Sequence, residues 1–311
     1  MAVTREGRAP RTALAAGVAG AVVLALAQFA PLASAATIEV TPGPNAINKA
    51  IDKAHNGDLL RIHDGTYRGA VIVDKRLTLR GVGGRPLLDA RCNNRLATRI
   101  THAGVTLDHL KVVGAAENPS GPFPSGVDFE FVATGTVHDV IVRDTCGAEG
   151  AEYGINVFDS GPIEVSQNLA TGGFSDAGIY IGGITDTGGS PLRVVRNASY
   201  GNHQGIIIEN SGLDARIQVA HNSVHHNTIP GEAHPDTGIF INNSDRVRLR
   251  DNSVRNNGHF GVNISPTSDH NFLFDNTITG NAIDLNNEGS ANCGSGNTIG
   301  TRSGNPLIPC P

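Results

Sequence analysis

The 311-residue chain has no tryptophan, a single methionine and only 5% aromatic residues. Its lysines end at Lys49, Lys53, Lys75 and Lys111. With Met, Glu and Lys this scarce, a helical bundle or coiled coil is excluded on composition. Propeller blades would need longer repeats and Trp-Asp signatures, which are also missing. Basic charge is in deficit, the formal net charge being −5, so a nucleic-acid backbone is not the expected partner. No Cys/His spacing suits a zinc finger, and neither an EF-hand loop nor a Gly/Asp nonapeptide array is present. Glycine is abundant, at 39 residues, but lacks the triplet period of collagen. The 39% hydrophobic share is enough for a continuous core and argues against a wholly disordered chain. Short strands joined by many turns are what remains.

Only one long apolar run exists, Ala13 to Ala30, preceded by Arg5, Arg8 and Arg11 and followed by Ala33-Ser34-Ala35. This pattern predicts a secretory signal peptide over residues 1–35, with a retained membrane anchor as the rival reading. A secreted, extracellular location follows, with no membrane contact after cleavage. Export places the four cysteines in an oxidising compartment, where an even count favours disulfides. Cys293 and Cys310 flank a Gly/Ser/Asn-rich tail over 291–311 and are expected to pair. Cys92 and Cys146 are then left to each other, although four cysteines permit three connectivities.

The decisive pattern is a degenerate repeat. Gly126-Val-Asp-Phe, Gly154-Ile-Asn-Val, Gly178-Ile-Tyr-Ile, Gly205-Ile-Ile-Ile, Gly238-Ile-Phe-Ile and Gly261-Val-Asn-Ile succeed one another at spacings of 28, 24, 27, 33 and 23, with a variant Ala282-Ile-Asp-Leu 21 later. Each unit carries a second apolar alternation, such as Ile217-Gln-Val or Val247-Arg-Leu, and pairs of Asn five apart, such as Asn222 and Asn227. Asn tolerates the left-handed conformation of a sharp corner, and stacked side-chain amides can form a ladder. A unit this short cannot bury its apolar face alone, so the units must stack into a solenoid. A Leu-rich repeat is the rival, but its consensus and helical half are missing. Ala46, Ile47, Ala50, Ile51 and Ala54 share one helical face, which predicts a short capping helix over the first coil.

From Asn45 to Gly84 the pattern AI…AI..A..GD.LRI.DGTY…V.V.K.LTLRG resembles the opening of pectin-lyase-like proteins. With the later repeats, the likeness covers roughly residues 38 to 290. It implies an all-β, single-stranded right-handed parallel β-helix over 36–290 with an N-terminal helical cap. The superfamily holds lyases, hydrolases, esterases, epimerases, phage adhesins and proteins without known catalysis. Tyr153 to Asp159 (YGINVFD) is similar to the YG-[acid]-P-H-[acid] region of secreted mannuronan epimerases, but Asn156 stands for the acid and Phe158 for the His. The proton-abstracting chemistry therefore does not carry over. The Asp-Asp and Gly-His-Gly motifs of polygalacturonases are absent.

Strand alternation predicts two outward columns after the glycines. The first reads Asp128, Asn156, Tyr180, Ile207, Phe240, Asn263, Asp284, and the second Glu130, Phe158, Gly182, Glu209, Asn242, Ser265, Asn286. Phe158, Tyr180, Glu209, Phe240 and His259 are the candidate substrate-binding residues, since sugars need both apolar faces and acceptors. Stacked aromatics serve sheet packing equally well. Two residues before each glycine stand Glu152, Asp176, His203, Asp236 and His259. In register, Asp176, His203 and Asp236 would form a catalytic column with the two Asp about 9.6 Å apart, near the upper limit for an inverting glycosidase. Turn capping by the same acids is the competing explanation. Glu209 and His234 are secondary candidates. His221, His225 and His226 suggest surface histidines rather than a metal site. No cofactor is expected, with calcium left open because turn Asp and Asn supply oxygen ligands. The expectation is a monomer that engages an extracellular polysaccharide, by hydrolysis before lyase or epimerase chemistry if it is an enzyme. The alternative is a non-catalytic cell-surface or cell-wall module.

Overall fold

In a computed structural model the chain is described over residues 34–117, 123–228 and 235–310. The leader expected over 1–35 falls outside these residues except at its end. The chain winds through three parallel sheets in rotation, of 11, 10 and 10 strands. The first sheet runs from Thr37–Val40 to Cys293–Ser295, the second from Thr66–Arg68 to Thr298–Ile299, and the third from Val71–Val73 to Arg302–Gly304. This is a parallel β-helix. The stack continues beyond residue 290, where the glycine repeats had suggested its end, because Cys293, Thr298 and Arg302 still pair in the first, second and third sheets.

Alternation sets which side chains go inside. In the third sheet Ile155, Val157, Ile179, Ile181, Ile206, Ile208, Ile239 and Ile241 are all fully buried in one continuous core. Each such side chain contributes about 1.5–3 kcal/mol on burial. None of the six repeat glycines has a positive φ. They are required by space: a Cβ on Gly238 would lie 2.5 Å from Val254 Cγ1 and 2.6 Å from the carbonyl of Gly261 on the next coil.

Between the first and second sheets, Asn168, Asn197, Asn222, Asn252 and Asn276 form a buried ladder that ends on Asn297. A second ladder of Asn202, Asn227, Asn257 and Asn281 stands at the next corner and ends on Asp284. The left-handed residue is not the Asn, as the sequence suggested. It is the residue before it: Gln167, Arg196, His221, Asp251 and Asp275 have φ of 53 to 57°. This turns the chain so that the following amide points inward and serves two coils.

The capping helix α1 (Ala46–Lys53) forms as expected and buries Ile47, Ala50 and Ile51. Its carboxyl end is held by Lys75, whose ammonium donates to the carbonyls of Ile51, Asp52 and Ala54 at 2.7, 2.9 and 3.0 Å. A cation there complements the helix dipole. Both disulfides form as paired from the sequence, Cys92 with Cys146 and Cys293 with Cys310.

One register differs. Ile283 pairs with Phe260 and Leu285 with Val262, so Asp284 takes the place of Gly261 and Asn286, not Asp284, aligns with Asn263. The Ala282 variant of the repeat thus lies two residues out of the glycine register.

Candidate functional site

The outward column of the third sheet reads Arg99, Asp128, Asn156, Tyr180, Ile207, Phe240, Asn263, Asn286. Beside it, at the corner entering the sheet, the acid column also stacks. Asp176 N donates to the Glu152 carbonyl at 3.1 Å, Gln204 N to the Asp176 carbonyl at 2.8 Å, and His259 N to the Asp236 carbonyl at 2.8 Å. Glu152, Asp176, His203, Asp236 and His259 therefore lie on successive coils.

Within this column the structure brings His203 against Asp236. Its Nδ1 lies 3.1 Å from Asp236 Oδ1, with His203 2% and Asp236 26% exposed. Asp176 instead faces Tyr153, whose hydroxyl lies 3.0 Å from Asp176 Oδ2 and 3.0 Å from Glu152 Oε1. Gln204 Nε2 donates to Asp176 Oδ1 at 3.1 Å. His259 is exposed at the far end, edge-on to Phe260. His234 lies outside the described residues.

The candidate sugar-contact residues divide. Tyr180 and Phe240 are 4% and 6% exposed, packed with Ile207 and Tyr153 in a small cluster outside the main core. Tyr153 precedes its glycine, where the chain sends two successive residues inward, so its ring stays outside and packs tilted against Tyr180, with centroids 4.5 Å apart. These rings form a floor rather than an open platform. Phe158 is half-buried and stacked on Phe123 at 5.3 Å. Glu209 accepts from the Tyr180 hydroxyl at 2.9 Å and from Asn242 Nδ2 at 2.6 Å, leaving it half-exposed over the floor. Burial holds both tyrosine hydroxyls well above their ordinary pKa, with the neighbouring carboxylates adding to the effect.

Sequence reasoning missed a second charged group. Arg99 reaches Glu130 Oε2 at 3.6 Å and lies 3.9 Å from Asp128 Oδ2. Asp128 is 1% exposed, and its Oδ1 accepts from Asn156 Nδ2 at 2.7 Å. Burial pushes the Asp128 carboxyl up to about 6, against the downward pull of Asn156 and Arg99. Arg99 escaped notice because its coil has Ala97 where the repeat has glycine, although Thr98 pairs with Val127 in register. Because the folded state binds this proton more tightly than the unfolded chain, stability falls as pH rises from about 4 through 6. Asp128→Asn is therefore expected to stabilise the protein by about 2 kcal/mol at pH 8 and to change little at pH 4, measured by urea unfolding at both.

Among the described residues no three His, Cys, Asp or Glu side chains gather into a metal-holding group. His225 Nδ1 lies 3.0 Å from His226 Nδ1 with its ring on Tyr200, and neighbouring Arg255 adds to the effect of burial in lowering its pKa.

With this geometry in hand, a family model described as "Periplasmic copper-binding protein (NosD)" matches residues 124–300. No curated protein matches in sequence. Among solved structures, pectate lyase Pel9A superposes with a TM-score of 0.64 at 12% identity, covering 88% of this chain and 80% of its own. An alginate lyase from Paenibacillus sp. str. FPU-7 gives 0.55 at 16%, covering 88% and 99%. The A-module of the Azotobacter vinelandii mannuronan C-5 epimerase AlgE4 gives 0.53 at 17%, covering 83% and 84%. At these identities the likeness establishes the parallel β-helix fold.

Proposed function

We propose, from the premise that this chain belongs to the NosD family, that it is an exported polysaccharide-acting protein whose third sheet hydrolyses a neutral glycan. The observation that carries this reading is the sharing of the Tyr153 hydroxyl by Glu152 and Asp176, each at 3.0 Å. A phenol has one hydrogen to give and an oxygen that can accept, so a proton carried by one of these carboxyls would complete the set and leave an acid beside an ionised partner. A carboxylic acid kept protonated beside an ionised partner is what glycosidic cleavage needs.

Asp176 gives its proton to the leaving glycosidic oxygen as the C–O bond breaks. Asp236, oriented by His203 at 3.1 Å, takes a proton from the water whose oxygen bonds to the anomeric carbon. Two coil rises put the acids about 9.6 Å apart, which leaves room for that water and favours inversion. Glu209, Asn242 and Phe158 line the same face as sugar contacts, above the floor of Tyr180 and Phe240, with His259 at its end.

The solved structures named above are two lyases and an epimerase, and that chemistry is the second reading here. The face works against it: the acids Glu130, Glu152, Asp176, Glu209 and Asp236 outnumber Arg95 and Arg99, so a uronate chain meets mostly like charge. Copper, in the family's description, also fits poorly. Both cysteine pairs are oxidised, and among the described residues there is no free cysteine and no group of three donors, the imidazoles of His225 and His226 standing as a pair without a third ligand. No step is routed through it. The two disulfides accord with a non-cytoplasmic protein, and secretion is part of this proposal.

The test is sugar release from neutral and uronic polysaccharides. Wild type is expected to release sugar with inverted anomeric configuration by NMR, and Asp176→Asn and Asp236→Asn each to lower kcat by about 10²–10⁴-fold while still binding. Binding without turnover on any glycan would overturn the hydrolase and leave a non-catalytic module.

A further inference from the structure

We infer that the outward face of the first sheet carries a second, separate binding site, for an oligosaccharide bearing carboxylate or sulfate groups. A concavity of 630 Å³ opens between the loop at Gly189 and Leu213 and the strands that follow, within the size range of small-ligand sites. Two columns line it. Arg216 and Arg246 occupy the same corner on successive coils, each at positive φ, 43 and 56°, two residues before the paired positions Gln218 and Arg248. Two residues further, Gln218, Arg248 and Phe272 pair in register across the sheet.

The three guanidinium groups are exposed, and among the described residues none makes an ion pair within 4 Å. Arg216 Nη1 is steadied by the Gly189 carbonyl at 2.9 Å. Nearby acids are engaged elsewhere: Asp245 accepts from Asp269 N, and Asp269 from Ser290 N, both at 2.6 Å, leaving Asp214 as the acid lining the concavity. Arginine forks in such numbers bind carboxylate or sulfate in paired hydrogen bonds. The site is more than a charged patch. Arg248 lies 5.2 Å over the Phe272 ring, and Leu213 is 49% exposed, so an apolar plate adjoins the cations. A sugar acid presents those two surfaces together, a C–H face and an anion.

The site goes beyond the proposed hydrolysis and uses neither Asp176 nor Asp236. It also separates charge by face: the first sheet here attracts polyanions that the acidic third sheet repels.

The experiment is calorimetric titration of the folded full chain with trigalacturonate, a sulfated chondroitin disaccharide, maltotriose, inorganic sulfate and phosphatidylserine vesicles. Either anionic sugar, or both, is expected to bind, more weakly at high salt, and any heat from maltotriose to be unchanged by the arginine substitutions in this face. Arg246→Gln with Arg248→Gln is expected to weaken binding by about tenfold or more, and Arg248→Lys, which keeps charge and loses the fork, by an intermediate factor. Asp176→Asn is expected to leave this binding unchanged, so loss of hydrolysis and loss of this site are read apart. Equal affinity for inorganic sulfate, vesicle binding without sugar binding, or indifference to the Arg variants in protein of unchanged circular dichroism would each overturn the proposal.

Discussion

Gly238→Ala is expected to cost about 3 kcal/mol or more, a large share of a typical domain's stability. The added methyl meets Val254 Cγ1 at 2.5 Å, Asn257 Nδ2 at 2.6 Å and the Gly261 carbonyl at 2.6 Å. Two of these neighbours are fixed from both sides. The carbonyl belongs to the next coil's strand, whose ladder to Thr237–Asn242 would have to open, and Asn257 is bound into the second ladder. Overpacking against backbone has no rotamer escape. Gly43→Ala serves as the control, because its methyl meets only Ala46 Cβ at 3.9 Å and its φ is not in the left-handed region. Urea unfolding followed by circular dichroism distinguishes them; equal midpoints would show that the repeat glycines are not there for space.

A comparable loss is expected for Asn222→Ala, about 4 kcal/mol, from a different cause. Asn222 Nδ2 donates to the Val194 carbonyl at 2.8 Å and to Asn252 Oδ1 at 2.9 Å, while its Oδ1 accepts from Asn197 N at 2.9 Å and Asn197 Nδ2 at 3.1 Å. Alanine strands a buried backbone N–H, a carbonyl and a neighbouring amide together, and each unsatisfied group costs about 1–3 kcal/mol with incomplete additivity. Asn222→Asp separates size from hydrogen bonding. It keeps the acceptor but loses the donor and buries a charge, so it is expected to be the worse variant at pH 7 and to recover partly below pH 4, where a protonated carboxyl can again donate. Hydrogen exchange is expected to rise first at Asn197 N. Unchanged exchange there would mean the ladder carries no stability.

The coil architecture was legible because a solenoid repeats its constraints. A glycine wedged against the next coil, two inward apolar residues and an inward Asn must recur whenever a coil recurs. What failed was local. The left-handed φ was assigned to Asn on its general tolerance of that conformation, whereas Arg196, His221 and Asp251 adopt it to free the next side chain for burial. Alternation from the glycine onward makes Tyr180 and Phe240 outward but does not show that their faces are covered. The outward position before the glycine, where Tyr153 sits, went uncounted, and its ring helps close the cluster. The stacking of Asp176 and Asp236 on alternate coils is legible from their offset alone, but the place of the Tyr153 hydroxyl between two carboxyls is not, because the offset gives the height of a side chain and not its direction. Arg99 went unseen for the converse reason, its coil having no repeat glycine to mark it.

The turn residues ahead of the first Asn ladder have a further use. Gln167, Arg196, His221 and Asp275 are exposed, conformationally fixed and chemically unrelated, so the backbone there asks for a shape and not a side-chain identity. They stand along one ridge of the molecule like teeth on a rack, one per winding. Dyes, chelators or peptides attached at chosen teeth would sit at intervals set by the winding itself, making the protein a molecular measuring rod whose graduations can be rewritten without disturbing the shaft.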